Sequence, residues 1–321
     1  MSPHPLLAVA LVLAGALPQA ALAQVYPSKP ITLIVGYPPG GSSDLTARTL
    51  GDALARQLGV PVVIENLGGA GGAIGAQKAA NATPDGHTLF VGANNEVAIQ
   101  KLVNRGIKYD LKDFSPIGLI ASQPMVLVAA QSAGVKNVDE FIAKVKAAPG
   151  KYSYGSSGVG TALHLAGEMT KERAGLFMTH IPYRGVAPLA SDLLGNNLEF
   201  GVFVLSSGLP HIRAGKLVAL GTTEARRSPL TPDIPALGEH PRLKGIDIGS
   251  WFVLMGPAKL PEPVLARLKT ALAETLKSPD FRQRMESTGS TVASPDVDLE
   301  RFLRAEVAKY QQIVQFAKIE Q

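Results

Sequence analysis

Ile31-Thr32-Leu33-Ile34-Val35-Gly36-Tyr37-Pro38-Pro39-Gly40-Gly41-Ser42-Ser43-Asp44 is the stretch whose reading decides the fold. Its near-continuous apolar start suits a parallel strand buried on both faces. A glycine- and proline-rich loop follows, and then Ala47, Leu50, Leu54 and Leu58 recur at helical spacing. The order is strand, glycine-rich loop, helix. The unit repeats downstream: residues 60–65 predict a second strand, Gly68-Gly69-Ala70-Gly71-Gly72 a second turn, 73–80 a short helix and 87–92 a third strand. With 33 glycines and 24 prolines in 321 residues, the chain stays below the low-complexity range and reads as α/β with many βα junctions.

Residues 114–130 predict one or two long strands interrupted near Pro124, and beyond them the alternation starts afresh. Asn137 caps a helix ending near 148, and 152–154 is a short strand. Gly155-Ser156-Ser157-Gly158-Val159-Gly160 then leads into a helix from Thr161 to about 174. Strands are expected at 179–182, 200–204 and 216–222, and a helix at 186–194. From about 226 the chain is loop-rich, with Pro229, Pro232, Pro235 and Pro241, before a strand ending at 251–254. The C-terminal part is helical, with Leu268, Leu272 and Leu276 on one face and Leu303, Tyr310 and Val314 on another. Those faces need a sheet, and the economical solution packs them back onto the N-terminal one. The expected organisation is two α/β lobes, each a mostly parallel sheet flanked by helices, joined by crossing strands with a cleft between. One lobe is discontinuous, 24–121 plus 226–321, and the inserted lobe is 122–225.

Residues 1–23 contain no Asp, Glu, Lys or Arg, and their apolar stretch, 6–17, is shorter than the ~20 residues of a membrane span. Ala21-Leu22-Ala23 supplies a small-x-small cleavage pattern, so 1–23 is expected to be a signal peptide and Gln24 the mature start. The absence of cysteine excludes disulfides and a lipid-bearing N-terminal cysteine, which leaves a freely diffusing periplasmic monomer as the expectation. A net charge of +5 favours anionic partners weakly, and with one Trp and no long basic run the chain is not expected to bind nucleic acid.

A helix start carries unpaired N–H groups and roughly half a positive charge, so a glycine-rich loop feeding a helix is a natural carboxylate cradle. In the first lobe the candidates are Gly40, Gly41, Ser42 and Ser43, which either approach a ligand or serve only a tight turn, with Tyr37 as a flat wall. Asp44, beside an anion site, is expected to turn into the helix start as a cap. In the second lobe Ser156, Ser157, Gly160 and Thr161 form the matching cradle. Arg184, after Tyr183, either pairs with a distal carboxylate or is solvated. Asp192 faces the cleft or the solvent, and in the cleft it would suit an amine-bearing ligand. His164 and Glu168 lie one helical turn apart without a third ligand, so no metal is expected, and no dinucleotide fingerprint is complete, so no cofactor is either. A serine hydrolase built on Ser157 and His164 is the rival class. It fails at Val159, where a nucleophile elbow needs glycine, so the chain is not expected to be an enzyme.

Further pieces carry a resemblance. Tyr26-Pro27-Ser28-Lys29-Pro30-Ile31 running on to Asp44, His164-Leu165-Ala166-Gly167-Glu168, Pro182-Tyr183-Arg184-Gly185, Pro210-His211-Ile212-Arg213-Ala214-Gly215 and Trp251-Phe252 occur in order. Together with Tyr154-Gly155-Ser156-Ser157-Gly158 they resemble the Bug-type substrate-binding proteins of tripartite tricarboxylate transporters, across essentially the whole mature chain. The resemblance implies a periplasmic binding protein fold, a small carboxylate ligand (a dicarboxylate, aromatic acid or acidic amino acid), and delivery to membrane permease subunits or presentation to a membrane sensor. It also implies one ligand carboxylate held at the first-lobe loop, largely through backbone groups and waters. This chain departs from relatives after the third strand, where Asn94 and Asn95 stand in place of a Gly/Thr/Ser-rich turn. Both are expected to read polar groups on the ligand.

Overall fold

The computed structural model describes residues 26–317. The expected signal peptide and mature start lie outside the described residues. The chain runs β1 (Ile31–Val35), α1 (Ser42–Leu58), β2 (Val62–Asn66), α2 (Ala73–Ala80), β3 (Thr88–Ala93), α3 (Gln100–Val103) and β4 (Phe114–Ala130). It continues through α4 (Val138–Ala147), β5 (Ser153–Ser156), α5 (Ala162–Ala174), β6 (Thr179–Pro182), α6 (Val186–Leu194), β7 (Phe200–Val204), α7 (Leu205–Arg213) and β8 (Leu217–Thr222). It closes with β9 (Gly249–Pro257), α8 (Glu262–Lys277), α9 (Pro279–Glu286), β10 (Thr291–Val292) and α10 (Leu299–Ala317).

The molecule is two-lobed. In the first lobe the sheet order is β2-β1-β3-β9-β4, with β10 also on β4. β1 pairs in parallel with β2 and β3, and its Ile31, Leu33, Ile34 and Val35 are wholly buried, as a nearly all-apolar central strand requires, with Thr32 half-buried. In the second lobe β5 pairs in parallel with β6 and β7, while β4 lies antiparallel to β7 and β8. Parallel pairing thus builds the outer part of each sheet, and antiparallel pairing is concentrated where the chain crosses.

β4 is one continuous strand that changes partners. Up to Pro124 it pairs with β9, and from Met125 it pairs with β7. The expected interruption at Pro124 is this handover: proline has no N–H to give a ladder, and it sits where one ladder stops. The return crossing differs from the expected one at 226. Thr222 N donates to Pro235 O (2.8 Å) and Ile248 N to Thr223 O (2.8 Å), so residues 226–248 stay beside the second sheet until β9 begins. Ile234, Leu237, Leu243, Ile246 and Ile248 are buried there, an apolar content that the prolines mask in the sequence.

α8 and α9 cover the first lobe. Gly118 on β4 allows α8 to close in, because a Cβ there would stand 2.5 Å from Leu272 Cδ2. α10 spans the crossing: it packs on the helical turn Asn95–Ile99 and on α5, where Arg173 lies 4.9 Å over the Phe316 ring. Two helical stretches were not legible. α7 carries Gly208 and Pro210, both poor helix formers, and Asn95–Ile99 lies within what reads as a loop.

Candidate functional site

Between the lobes lies a cavity with ≈ 30 Å³ of free space, room for about two waters. The first lobe contributes Tyr37, Pro38, Gly41, Ser42, Ser43, Ala93, Asn94 and Asn95, and β9 adds Ser250 and Phe252. Ser157, Ala162, Leu163, Val186, Ala187 and Val204 form the opposite wall. No Asp, Glu, Lys or Arg is among these lining residues.

The start of α1 is open. Its N-cap is Gly41, in an extended conformation and without a side chain that could cap, and Leu45 N makes the first helical bond, to Gly41 O at 2.9 Å. The N–H groups of Ser42, Ser43 and Asp44 therefore precede any intrahelical acceptor. Gly40 adopts φ 89°, which only glycine takes without strain, and this turns the loop into the helix. The expectation that Asp44 caps this start is corrected. Its Oδ2 reaches back to accept Gly40 N (2.9 Å) and also Arg48 Nε (3.0 Å), and its Oδ1 accepts Asn66 Nδ2 (3.0 Å). Burial raises the pKa of this carboxyl, but the bonds from Arg48, Gly40 and Asn66 outweigh burial and hold it below the usual range. Its charge is spent on bracing the loop, and Gly40 N is not free for a ligand.

The start of α5 is largely filled. Thr161 Oγ1 accepts His164 N (3.4 Å) and donates to Gly158 O (2.8 Å). Ala162 N donates across the cleft to Asn95 Oδ1 at 2.7 Å. Gly160, at φ 66°, gives its N–H to His164 Nδ1 (3.1 Å) and accepts Gln100 Nε2 (3.4 Å), a second link between lobes. Gly160 and Thr161 thus brace the turn from outside the cavity lining, while Ser157 lines it with its Oγ 3.3 Å from Thr161 Oγ1. Ser156 is wholly buried behind the lining, its Oγ 2.7 Å from His180 Nε2. His164 and His180 stack at 3.8 Å, and burial lowers their pKa values to about 4 and about 3, so both are neutral near pH 7. Glu168 accepts Tyr154 OH (2.6 Å) and Lys171 Nζ (2.8 Å). Among the described residues no three His, Cys, Asp or Glu side chains are grouped to hold a metal.

Asn94 and Asn95 line the cavity, but their amides are already engaged. Asn94 Nδ2 donates to Tyr310 OH (2.6 Å) and Gly249 O (3.2 Å), and its Oδ1 accepts Ser250 Oγ (3.1 Å), which pins the end of β3 to β9 and α10. Asn95 Nδ2 donates to Tyr37 OH (2.7 Å), which donates to Gly71 O (2.9 Å). Tyr37 is therefore a wall with its hydroxyl spent, and burial holds its pKa well above the ordinary tyrosine value, against the lowering effect of the Asn95 bond. Both asparagines position neighbours instead of presenting free amides. The distal candidates fall away from the cavity. Arg184 is exposed, and Tyr183 OH donates to Asp192 Oδ2 at 2.6 Å, so neither an arginine nor an aspartate reaches the lining. Sequence reading missed Ser250, Phe252 and Val204, which stand in no polar or glycine-rich motif, and Val186 and Ala187, which open α6 just after Gly185, at an N-cap without a side-chain bond.

Two α/β lobes joined by crossing strands, with an open helix start facing the cleft, define a solute-binding protein. The chain matches the family described as "Tripartite tricarboxylate transporter family receptor" over residues 46–319. It is 32% identical over 298 residues to protein BugT of Bordetella pertussis, covering 91% of this chain and 90% of that one. The protein belongs to this receptor family, whose members are periplasmic solute-binding receptors and not enzymes. Among solved structures it is similar to Rpa4515 of R. palustris with adipate (30% identity, TM-score 0.88, covering 92% of this chain and 99% of that one). MatC of Rhodopseudomonas palustris with bound malate is also similar (28%, TM-score 0.83, covering 90% and 100%).

Proposed function

We propose that this protein is exported by removal of residues 1–23, binds a small carboxylate-bearing solute between its lobes, and delivers it to the membrane subunits of a tripartite tricarboxylate-type transporter. The observation that carries the reading is the open start of α1, where Ser42 and Ser43, both more than nine-tenths buried, face a cavity built by both lobes. N–H groups at a helix start stabilise a carboxylate without a fixed cation, which suits a lining that holds none. The relatives solved with adipate and malate support the same class of ligand.

With only ≈ 30 Å³ free, entry requires the lobes to part, and the bonds Asn95–Ala162 and Gln100–Gly160 are those that break. We place the hinge at Pro124/Met125 and Ile248/Gly249, where β4 changes ladders and β9 begins. Isothermal titration of folded, ligand-stripped protein with mono- and dicarboxylates, aromatic acids and acidic amino acids tests the reading. Binding by at least one carboxylate, and none by the matching amide, is the expected result. Silence across the whole panel would overturn it.

A further inference from the structure

We propose that the segment from Lys101 to Lys112 is the docking surface for the membrane subunits, and that it takes an outward-facing segment of theirs carrying acidic and apolar side chains. This rests on the delivery reading above and adds the place on this chain where delivery happens. The inner face of the segment and of the turn before it holds the second lobe. Asn95 Oδ1 accepts Ala162 N (2.7 Å) and Gln100 Nε2 donates to Gly160 O (3.4 Å). Val103 packs over Gly160, where a Cβ would stand 2.5 Å from Val103 Cγ2. Tyr109 OH donates to Glu96 O (2.9 Å), which fixes the loop after α3 to the same turn. The outer face is open. Two largely apolar grooves of ≈ 350 and ≈ 320 Å³ flank it, one lined by Ala73, Ile74 and Ile107, the other by Val97, Leu102 and Val307, and Tyr109 borders both. Ile74 is 48% exposed at the first of them, an unusual setting for an isoleucine unless something covers it.

Charge supplies the chemistry of the partner. Arg105, Lys108 and Lys112 are exposed and form no ion pair among the described residues. The acids of the segment are turned onto its own backbone: Asp110 Oδ1 accepts Leu111 N (2.7 Å) and Asp113 Oδ2 accepts Asp110 N (2.7 Å). A cationic strip therefore borders the two grooves. Membrane proteins carry their excess of Lys and Arg on cytoplasmic loops, so the loops that face this protein are poor in cations and complement the strip. Exposed charges of this kind steer association and fix register, while Ile74 and Ile107 offer apolar seats. Because the same segment holds the second lobe, a partner seated on it reaches the latch without entering the cleft.

The test compares three full-length proteins: wild type, the triple reversal Arg105→Glu, Lys108→Glu, Lys112→Glu, and a control reversal of equal charge, Lys136→Glu, Lys146→Glu, Lys151→Glu, on the exposed surface of the second lobe. Association is measured with phosphatidylethanolamine and phosphatidylglycerol vesicles that hold the purified membrane subunits, and with the same vesicles empty, in the presence of the acid that titrates best. The segment reversal is expected to weaken association with the loaded vesicles by about tenfold or more, as opposed charges become like charges. Its solute Kd should stay within about twofold of wild type, since the changes lie outside the cavity lining, and this also shows that it folds. Ile74→Asp, with no change of the strip, should weaken association as well. The control should behave as wild type, and the empty vesicles should capture none of the proteins. Equal association of wild type and the segment reversal would overturn the inference, as would an equal loss in the control or capture of wild type by empty vesicles, which would make net charge or lipid the cause. A wild type that binds its acid but never associates with the loaded vesicles would remove the delivery reading itself.

Discussion

Asn95 Oδ1 accepts the N–H of Ala162 at 2.7 Å, joining the end of β3 in one lobe to the first turn of α5 in the other. The same amide donates to Tyr37 OH, which is tied to Gly71 O, so the latch is anchored in the first lobe before it reaches the second. It is a neutral bond in a buried setting, where losing one partner leaves the other unsatisfied.

Asn95→Ala should therefore loosen closure. The loss is expected to be about 1–3 kcal/mol, the range for a buried hydrogen bond whose partner is orphaned. Small-angle scattering of ligand-free protein should show a larger radius of gyration than wild type. An unchanged profile would mean that the latch does not hold the lobes.

Ser42→Pro separates binding from folding. Ser42 is the first residue of α1 and follows an extended Gly41 (ψ 174°), a position proline accepts because its N–H has no intrahelical partner there. Thermal stability should stay near wild type, while affinity for a carboxylate should fall by about 1–3 kcal/mol, as for a charge-assisted bond. Unaltered affinity would place the carboxylate elsewhere.

Asp44→Ala should act through the loop. It removes the acceptor for Gly40 N, Arg48 and Asn66, and Gly40 then lacks the tie that shapes the cradle. A loss of about 2–3 kcal/mol in stability is expected, measured by urea unfolding, with weaker ligand binding. Because the folded pKa is depressed, the contribution of Asp44 is present above the ordinary carboxylate range and is lost as pH falls through the folded value. The variant should accordingly be less sensitive to acid than wild type.

Glu96 gives the opposite dependence. Its Oε2 accepts Ala93 N (3.0 Å), its Oε1 has no partner among the described residues, and burial raises its pKa to about 8. The folded state holds this proton more tightly than the unfolded chain, so the contribution is full below pH about 4.5 and is lost as pH rises through about 8. Glu224, raised to about 7 by burial and then by Asp247, adds to the same trend. The pair His164 and His180, with lowered values, works against it below the ordinary histidine range. Glu96→Gln should flatten the decline in melting temperature between pH 6 and pH 9. A slope equal to that of wild type would show that Glu96 is not the titrating group.

Much of the fold was legible because its signals are local. The run Ile31–Val35, the loop through Gly40 and the spacing of Leu50, Leu54 and Leu58 identify a strand, a turn and a helix within a few residues of one another. The cavity-lining residues Gly41, Ser42 and Ser43 follow from that unit. Asn137 and Thr161 act as the caps their residue types predict. α7 was not legible, because Gly208 and Pro210 oppose a helix that close packing against Val126 and Phe203 sustains. Nor was the placement of 226–248, where buried leucines and isoleucines are spaced by prolines instead of by a helical or strand period.

By itself the sequence determined an α/β chain of repeated strand–loop–helix units, a glycine-rich loop feeding a helix start at Ser42, and the family, since each depends on residue order over short spans. Only the tertiary structure decided which helix starts stay open and which are filled from the other lobe. Asn95 and Ala162 are 67 residues apart, and nothing in either neighbourhood announces that one caps the other. The far wall of the cleft was decided the same way, by α6, β7 and β9 meeting across the crossing strands, and with it the absence of charged side chains from the cavity lining. A hydrogen bond between distant segments exists only once the sheets that carry them have closed on each other, so local chemistry can nominate a donor but cannot say whether it is free.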